Sequence, residues 1–531
     1  MMSYKVLVAD PISEEGLKSL NEDTRFEVIN QTGLSESELI QIIPEFDALI
    51  VRSQTQVTAN LLNAAHQLKV VARAGVGVDN IDLDHATKRG IIVINAPDGN
   101  TISATEHSVA MILAMARNIP QAHASLKSGE WDRKLFRGTE LYRKTLGVIG
   151  TGRIGIGVAK RLQSFGMDIL AYDPYLTEDK AKELDFTRAT VDEIAQKSDF
   201  VTVHTPLTEK TKGIVGASFF EQAKPELRII NVARGGIIDE NALIEALDHE
   251  KIAGAAIDVF ENEPATHSPL VQHPKVIVTP HLGASTIEAQ EKVAVSVSED
   301  IIDILTEQHI AHAVNAPNFI LGDDEALQPF VELARVTGEM GIQLLPKAPR
   351  ELNITYAGDI ALDDTSLITR TLVKGVLQQD MGDHVNLINA LALLSEQNVT
   401  YSIEKTKSKK GFSNYIELEL INKGDTVKIG ATVLNGFGPR IVRINDYPVD
   451  FRPEQYQLVI HHHDRPGIVG KTGQILGEHD VNIASMHLGR TNIGGHAMMI
   501  LSIDHPINDQ VESHLLHIDG FRSVTPVTLN L

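Results

Sequence analysis

A glycine-rich stretch between two strand-like runs constrains this chain of 531 residues more than any other feature. Residues 146–149 form a short apolar run, Gly150, Gly152 and Gly155 follow it, and a helix pattern leads to a second run at 168–172. The first glycine allows a tight turn, the second lets backbone approach a pyrophosphate, and the third permits close helix packing. The stretch therefore predicts a dinucleotide-binding unit with phosphate at the N-terminus of the helix.

An acidic residue at the end of the second run indicates which dinucleotide binds. Asp173 follows Gly150 by 23 residues and closes the run 168–172. A carboxylate at this strand end can accept hydrogen bonds from the adenosine ribose hydroxyls, and it would repel the 2′-phosphate of NADP. The sequence therefore predicts NAD as the cofactor.

Charge and cysteine content exclude several classes of function. A net charge of −22 argues against nucleic acid or an anionic membrane as a partner, because an acidic field repels phosphate. An anionic substrate must then meet a local basic pocket. The chain has no cysteine, which excludes disulfides, a thiol nucleophile and thiolate metal sites. It opens on a strand pattern and has no apolar run of transmembrane length, so we expect a cytoplasmic protein.

Two arginines follow strand-like runs in the first hundred residues. These runs alternate with helical stretches, which predicts a separate α/β unit with a parallel sheet. Arg52 and Ser53 follow one run, and Arg73 and Gly75 follow the next. Ligands gather beyond the carboxyl ends of parallel strands, so the arginines are either ligand contacts or solvated surface residues.

Three later loops supply an arginine, a carboxylate and a histidine: Arg234, Glu263 and His281. Hydride transfer between a hydroxy acid and NAD needs a group that moves a proton near neutral pH, and histidine suits this role. A neighbouring carboxylate would orient the imidazole, and an arginine can bind a substrate carboxylate through two hydrogen bonds. His281 is one of 21 histidines, and a single histidine is more often structural, so its position at a strand end supports the assignment.

The segment 129–138 holds the only tryptophan, Trp131, beside Arg133 and Lys134. In an acidic protein such a basic loop is either a contact to phosphate or to a partner, or a solvated loop.

Earlier in the chain, Ser103 and Glu106 have the spacing of a capping box, which predicts the start of a long helix there.

Several strings together resemble one enzyme family. They are VRSQTQVTA, RAGVGVDNIDL, GTGRIG, HTPLT, NVARGGIIDE, AAIDVFENEP and PHLGAST, and they lie between residues 4 and 317. They are similar to the D-2-hydroxyacid dehydrogenase superfamily and, within it, to the long-form 3-phosphoglycerate dehydrogenases, which catalyse the first step of serine synthesis. The resemblance implies that His281 is the acid/base, Glu263 its partner and Arg234 the anchor of the substrate carboxylate.

The same resemblance implies a set of cofactor contacts and a substrate pocket. The implied NAD contacts are Val76, Gly150, Gly152, Arg153, Ile154, Gly155, Asp173, Thr205, Val232, Ala233, Arg234, Asp258, His281, Gly283 and Ala284. The implied substrate residues are Arg52, Ser53, Arg73 and Gly75, with Arg133 and Lys134 reaching over from a neighbouring subunit. The substrate would then be 3-phosphoglycerate, and the protein a homo-oligomer, either a dimer or a tetramer.

The C-terminal stretch HHHDRPGIVGKTGQILGEHDVNIASMHLGR resembles an ACT domain, a module that binds amino acids between paired copies. The resemblance implies effector contacts at His462, Asp464 and Asn482, with L-serine as the effector. The histidine run 461–463 could also suggest a metal, but strand alternation places at most two of these side chains on one face, so no metal is expected.

The expected architecture is α/β with four domains. A Rossmann-like doubly wound NAD-binding domain (99–284) is inserted in a flavodoxin-like substrate domain (1–98 and 285–316). An intervening α+β domain (317–453) resembles that of the long-form enzymes, and a ferredoxin-like βαββαβ ACT domain (454–531) ends the chain.

Two other functions remain open at this point. One is another 2-hydroxyacid dehydrogenase, such as a glyoxylate or hydroxypyruvate reductase. The basic loop and the ACT-like tail both argue against this alternative. The other is a non-catalytic NAD-sensing corepressor, since relatives of this fold serve in that role.

Overall fold

A computed structural model describes residues 3–317, 319–320, 327–408 and 410–531. Part of the expected intervening domain, residues 321–326, therefore lies outside the described residues. Within the described ranges, no helix has both the length and the apolar content needed to cross a membrane.

The N-terminal unit is a five-stranded parallel sheet in the order β2-β1-β3-β4-β5, the flavodoxin-like order. Apart from the edge strand β2, its strands are mostly buried apolar runs, as a sheet covered on both faces requires. The strands are β1 Tyr4–Val8, β2 Phe26–Asn30, β3 Ala48–Val51, β4 Val70–Arg73 and β5 Ile92–Asn95. The helices are α1 Lys18–Glu22, α2 Glu36–Ile42, α3 Ala59–Ala64 and α4 Leu83–Lys88, with 3-10 turns at Glu15–Leu17 and Ile43–Glu45.

Two long helices join this unit to the next. Helix α5 (Thr101–Ala116) leads out of it, α6 (Ile119–Lys127) follows, and α13 (Ile287–Leu305) returns and packs on the first sheet. Helix α5 begins at Thr101, and the predicted capping box is wrong because Ser103 Oγ bonds Thr286 Oγ1 instead of capping the helix.

The nucleotide unit is a seven-stranded parallel sheet in the order β12-β11-β10-β9-β6-β7-β8. The order reverses between β6 and β9, which places the ligand crevice at the carboxyl end of β6. Its strands are β6 Thr145–Ile149, β7 Asp168–Tyr172, β8 Thr187–Arg188, β9 Phe200–Val203, β10 Arg228–Asn231, β11 Gly254–Ile257 and β12 Val276–Val278. Its helices are α7 Arg153–Gln163, α8 Glu178–Leu184, α9 Val191–Lys197, α10 Ala217–Gln222, α11 Glu240–Asp248 and α12 Pro269–Gln272.

The third unit is a six-stranded mixed sheet in the order β16-β15-β17-β18-β19-β20, with helices packed on one face. A small antiparallel pair, β13 (His309–Ile310) and β14 (Phe319–Ile320), precedes it. Its strands are β15 Glu351–Gly358, β16 Thr400–Thr406, β17 Asn414–Ile421, β18 Thr426–Leu434, β19 Gly438–Ile444 and β20 Tyr447–Phe451. Its helices are α14 Gln328–Leu344, α15 Ser366–Met381 and α16 Ala390–Glu396, with 3-10 turns at Asp359–Leu362 and Gly382–His384.

The C-terminal unit is a four-stranded antiparallel sheet in the order β22-β23-β21-β24, which is the ferredoxin-like order. It consists of β21 Tyr456–His463, α17 Ile468–Glu478, β22 Ile483–Arg490, β23 His496–Ile503, α18 Asp509–Leu516 and β24 Phe521–Thr528. The predicted fold class is therefore confirmed in all four parts of the chain.

The C-terminal unit shares a core with the third unit. Val459, Met498 and Val527, on one face of its sheet, belong to the same buried cluster as the sheet and helices of the third unit. On the edge of that cluster, the Gln343 side chain donates to the Thr528 carbonyl and accepts from its amide, both at 2.8 Å. These contacts fix the orientation of the last strand against α14.

The third unit also contacts the N-terminal unit. Asn386 Nδ2 donates to the Gly90 carbonyl at 2.8 Å, and a Cβ at Gly90 would lie 2.3 Å from that amide nitrogen. Ile388 is buried in the core of the N-terminal unit, and Lys88 pairs with Glu396 at 2.8 Å on the surface.

Candidate active site

A cavity of about 670 Å³ lies between the N-terminal and nucleotide units. Its lining comes from the carboxyl ends of β3 and β4, from the loops after β11 and β12, and from the start of α5 and α13. It brings together seven of the residues predicted from the sequence: Arg52, Ser53, Arg73, Gly75, Glu263, His281 and Ala284. Three separate parts of the chain therefore meet at one site.

A histidine–carboxylate pair lies on one wall of this cavity. Nδ1 of His281 is 2.8 Å from Oε2 of Glu263, while Oε1 of Glu263 accepts from the Phe260 amide at 3.0 Å. Burial alone would raise the pKa of Glu263, but the hydrogen bonds from His281 and Phe260 outweigh it and hold the pKa below its ordinary value. Since Glu263 stays ionised, Nδ1 carries the proton and Nε2 is left for the cavity.

The loop that carries the histidine is held by a buried aspartate. Asp258 is fully buried, and its side chain accepts from Thr279 Oγ1 at 2.5 Å and from the Leu282 and Gly283 amides at 2.7 and 2.9 Å. Its carbonyl accepts from the His281 amide at 2.9 Å. His281 has φ of 55°, a left-handed conformation that costs free energy for a residue with a side chain, so the surrounding bonds must fix it.

Positive charge collects on the opposite side of the cavity. Burial and the nearby Arg234 lower the pKa of Arg73 to about 10, a value at which the guanidinium is still charged at neutral pH. Nε of Arg73 is buried without a hydrogen-bond partner among the described residues. A Cβ at Gly75 would lie 2.0 Å from Arg73 Nη1, so only glycine lets this side chain occupy its position. A buried cation without a partner calls for an anionic ligand.

The other two arginines differ in their surroundings. Arg52 extends into the cavity from the end of β3, where its amide donates to the buried Asp10 at 2.6 Å. Arg234 does not line the cavity; its Nε lies 3.4 Å from Asp79 Oδ2, and a Cβ at Gly77 would lie 2.2 Å from its Nη2. It is nonetheless close enough to Arg73 to lower the pKa of that residue.

The glycine turn has the geometry that a dinucleotide requires. Gly150 has φ of 98°, and a Cβ there would lie 2.5 Å from the His204 carbonyl. A Cβ at Gly155 would lie 2.0 Å from the Gly150 carbonyl, whereas one at Gly152 would meet nothing within 4 Å. Packing therefore requires the first and third glycines. The second faces open space at the N-terminus of α7, where a pyrophosphate fits.

Asp173 closes this turn from the next strand. Its Oδ2 accepts from the Thr151 amide at 2.8 Å and its Oδ1 from the Tyr175 amide at 2.9 Å. The carboxylate is thus held beside the glycine turn with lone pairs left over for further donors such as ribose hydroxyls.

Most of the remaining predicted cofactor residues lie along the same sheet edge, and Val76 lies in the loop after β4 of the N-terminal unit. Arg153 pairs with Asp98 of the N-terminal unit, and Ile154 packs on the core beneath α7. The Oγ1 of Thr205 is buried without a partner in the described chain, and Val232 is buried. The Ala233 amide donates to Asn231 Oδ1, and the Val76 carbonyl accepts from Asn95.

Two groups of predicted residues lie away from the cavity. Arg133 and Lys134 are exposed on the segment after α6 and do not line it. The predicted effector residues belong to the C-terminal unit: His462 is buried against Phe521, and Asp464 accepts from Arg490 Nη1 at 3.1 Å. Asn482 donates to Asp504 at 3.0 Å.

Strand register separates two of these effector residues. His463 pairs with His496 and Arg490 with Ala497, so Asp464 lies at the same end of the sheet as Arg490. Asn482 precedes the first residue of β22, at the other end of that strand. Eight residues of extended chain separate the ends of β22, which is about 25 Å. One copy of this unit therefore cannot bring Asp464 and Asn482 to the same ligand.

Sequence reasoning missed several polar residues of the cavity, among them Asn100 and Gln290. Asn100 precedes α5, and its Oδ1 is buried without a hydrogen-bond partner among the described residues. Gln290 lines the same cavity from the first turns of α13. The Asp98–Asn100 stretch breaks the strand pattern at a domain crossing, and this signal could have pointed to Asn100.

Family comparisons agree with this arrangement. Residues 109–283 match the NAD binding domain of the D-isomer specific 2-hydroxyacid dehydrogenases. Residues 326–445 match the D-3-phosphoglycerate dehydrogenase intervening domain, and residues 456–516 match the ACT domain.

Known proteins with similar sequences cover the whole chain. D-3-phosphoglycerate dehydrogenase of Bacillus subtilis is 43% identical over 99% of this chain and 100% of its own length. The Archaeoglobus fulgidus protein of the same name is 40% identical with the same coverage. A solved structure of NADPH-dependent glyoxylate/hydroxypyruvate reductase from Sinorhizobium meliloti is 30% identical, with a TM-score of 0.53, and covers 59% of this chain and 96% of that protein.

The fold and the site define an NAD-dependent dehydrogenase of the D-isomer specific 2-hydroxyacid class. Within that class, the chain belongs to the D-3-phosphoglycerate dehydrogenase family whose members carry an intervening domain and an ACT domain.

Proposed function

We propose that this protein oxidises 3-phosphoglycerate to 3-phosphohydroxypyruvate with NAD, the first step of serine biosynthesis. The observation that carries the proposal is Arg73, a buried cation without an ion-pair partner within 4 Å in the described chain, in the same cavity as the His281–Glu263 pair. A glycerate without phosphate would leave this charge without a partner, which is unfavourable in a buried site.

Each residue of the site has a separate proposed role in the reaction. Nε2 of His281 takes the proton of the C2 hydroxyl as the ketone forms, and Glu263 stabilises the imidazolium that results. Arg73 and Arg52 hold the phosphate, and Asn100 supplies a side-chain amide. Arg234 reaches the substrate carboxylate from beside Gly77.

The glycine turn and Asp173 would hold NAD along the carboxyl edge of the nucleotide sheet. When bound, NAD supplies the hydride acceptor that the reaction needs. Gly152 leaves room for the pyrophosphate, and Asp173 accepts from the ribose. The remaining residues predicted to contact NAD, apart from Val76 in the loop after β4, lie along this edge or on the loop that Asp258 holds.

A spectrophotometric assay tests the proposal directly. We expect NADH to form with 3-phosphoglycerate at a far higher kcat/KM than with D-glycerate or with glycolate. A preference for the unphosphorylated acids would instead favour the glyoxylate or hydroxypyruvate reductase function. No turnover with any of them, despite NAD binding measured by calorimetry, would favour an NAD-sensing role.

The division into a substrate domain (1–98 and 285–316), an NAD-binding domain (99–284), an intervening domain (317–453) and an ACT domain (454–531) is part of the proposal. Helix α13 packing under the first sheet supports the assignment of 285–316, since Ser298 Oγ donates to the Gly16 carbonyl at 2.7 Å. A cytoplasmic location also stays a prediction, supported by the absence of cysteine.

A homo-oligomer is supported by exposed apolar side chains near α5 and α6. Ile102, Ile119, Leu126, Trp131 and Leu135 are all more than half exposed. Several large apolar side chains exposed on neighbouring segments favour association with a second subunit. Arg133 and Lys134 lie on the same segment, so association there would carry them toward the neighbour.

L-serine is the proposed effector of the C-terminal unit. Asp464 lies at the turn before α17, where Gly467 has φ of 89°, and the carboxylate can hold an ammonium group. Because Asn482 lies at the far end of β22, two copies of the unit must combine to enclose one serine. Calorimetric titration of serine into the intact protein tests this, and no heat at millimolar serine would reject the site.

A further inference from the structure

The two edges of the sheet in the third unit differ. Strand β20 at one edge is in contact with β22 of the C-terminal unit, and the Pro448 carbonyl lies 2.6 Å from where a Cβ at Gly489 would be. Strand β16 at the other edge pairs only with β15 among the described residues. It is seven residues long, has no proline and keeps one register throughout. Sheet edges are commonly protected by short strands, prolines, bulges or charged side chains, and of these β16 has only the charged residues Glu404 and Lys405.

The core face of the sheet continues onto this open edge. Leu352 and Ile354 of β15 are buried under the helices of the unit, and their register partners on β16 are Tyr401 and Ile403. Paired residues of neighbouring strands project to the same face, so these two side chains belong to the core face. They are nevertheless 41% and 44% exposed, because the helix layer ends before it reaches β16. Leu362, 66% exposed, lies in the 3-10 turn that contacts the same strand.

The sequence of the strand, TYSIEKT, is complementary to itself when two copies run antiparallel about Ile403. In that register Ile403 lies opposite its own copy and Tyr401 opposite Lys405, whose aliphatic stem can lie over the ring. Ser402 lies opposite Glu404, a donor opposite an acceptor. All seven residues are paired, and no like charges oppose each other. Centring the pair on Glu404 instead would place two carboxylates face to face, which is unfavourable.

We propose that β16 is an interface at which two copies of this chain pair antiparallel about Ile403 and join their six-stranded sheets into one. The twofold axis through Ile403 places both helix layers on the same side, so the uncovered Tyr401 and Ile403 of the two copies meet and cover each other. Lys405 keeps its bond to the Asp363 carbonyl, 2.7 Å away, while its aliphatic stem meets the ring of Tyr401. This interface is separate from the exposed apolar surface near α5 and α6.

The absence of cysteine makes a direct test simple, since any single introduced cysteine is the only thiol. In the proposed register the Cα atoms of residue 403 are about 4.5–5.5 Å apart, within the range of a disulfide. The full-length Ile403→Cys protein, in a glutathione redox buffer, should form at least about ten times more disulfide-linked dimer than Tyr175→Cys, because paired thiols have a high effective concentration. Tyr175 is 91% exposed on the nucleotide unit and controls for random collisions.

A mixture of two variants checks the register. Tyr401→Cys and Lys405→Cys proteins, mixed before oxidation, should form a mixed disulfide dimer, while each alone forms much less. Hydrogen exchange of the amides of β15 in each variant, measured in parallel, shows that the third unit is folded. Dimer formation by Ile403→Cys no greater than by Tyr175→Cys would overturn the interface. A mixture that crosslinks no better than its components would overturn the proposed register.

Discussion

The catalytic half (residues 3–317) and the C-terminal half (residues 327–531) are held together by different means. In the catalytic half, the candidate functional side chains follow parallel strands of two sheets and converge in the cavity between them. In the C-terminal half, the strands are mostly antiparallel, and the contacts that matter join one unit to another, as Gln343 does with Thr528. The candidate site of the first half is therefore built from strand ends that two units bring together, whereas the contacts of the second half join docked surfaces.

This difference gives the two halves different sensitivities to mutation. A catalytic side chain contributes to the transition state directly, so its loss should appear in kcat/KM. A residue that joins two units contributes to their relative stability, so its loss should appear in local unfolding or in effector binding. The predictions below test this contrast.

His281→Asn should lower kcat by about 10³-fold, because it removes the group that accepts the substrate proton. NAD affinity should change little, since the glycine turn and Asp173 are on other loops. Steady-state kinetics and calorimetry with NAD check both parts. Near-normal turnover would show that His281 is not the acid/base.

Glu263→Gln should lower kcat by about 10²-fold, because an amide orients the imidazole but cannot stabilise its cation. The pKa of Glu263 is held below its ordinary value. The contribution of the ionised carboxylate is therefore fully present at a pH above that ordinary value, and it is lost as the pH falls through the lowered pKa of the folded protein. In the wild-type enzyme, ionised Glu263 should therefore still raise kcat in mildly acidic solution. Profiles of kcat against pH for both proteins check this, and overlapping profiles of equal height would contradict it.

Arg73→Ala should cost 3-phosphoglycerate about ten- to a hundredfold in kcat/KM and D-glycerate little, because only one of the two carries a phosphate. The two substrates serve as each other's control on the same protein. Equal losses would mean that Arg73 is structural. Arg89→Ala, on the surface after α4 and away from the cavity, should leave both values unchanged.

The outcome for the catalytic half shows why strand-end motifs can be interpreted without a structure. Gly150, Gly155 and Asp173 are predicted to act through backbone geometry, which sequence spacing records, and in the structure they meet at one turn. The parallel topology then forces the loops carrying Glu263 and His281 to one edge. Asn100 was missed because its role arises only from the meeting of two units, which no local pattern encodes.

The start of α5 illustrates the limit of local patterns. Ser103 and Glu106 have the capping-box spacing, yet the helix begins at Thr101 because Ser103 finds a partner in Thr286, 183 residues away. The contacts of the C-terminal half are of the same kind. Nothing in the sequence near Gln343 indicates that its amide binds the backbone of Thr528, 185 residues later.

Asp464→Ala should weaken serine binding by about tenfold, since it removes the carboxylate that faces the ligand's ammonium. The effect is smaller than those in the catalytic half because the site is exposed to solvent and Asp464 already pairs with Arg490. Calorimetry of the intact protein measures the affinity. Asp519→Ala, at an exposed aspartate in the same unit that pairs with Arg465, is the matched control and should bind serine normally.

Gln343→Ala should loosen the C-terminal unit from the third unit by about 1 kcal/mol, the net value of hydrogen bonds of this kind. The two bonds to Thr528 hold the end of β24, and Asn530 beyond it donates to the buried Glu339 at 2.9 Å, so the strand end should open more often when Gln343 is lost. Hydrogen exchange of the amides of β24 should accelerate about fivefold, while those of β6 in the nucleotide unit keep their wild-type rates. Gln474→Ala is the matched control, because among the described residues the Gln474 side chain bonds only Glu478 on its own helix. Equal exchange rates in Gln343→Ala and Gln474→Ala would mean that the shared apolar core alone fixes the C-terminal unit. The two halves of the molecule would then differ in strand topology but not in their dependence on polar contacts between units.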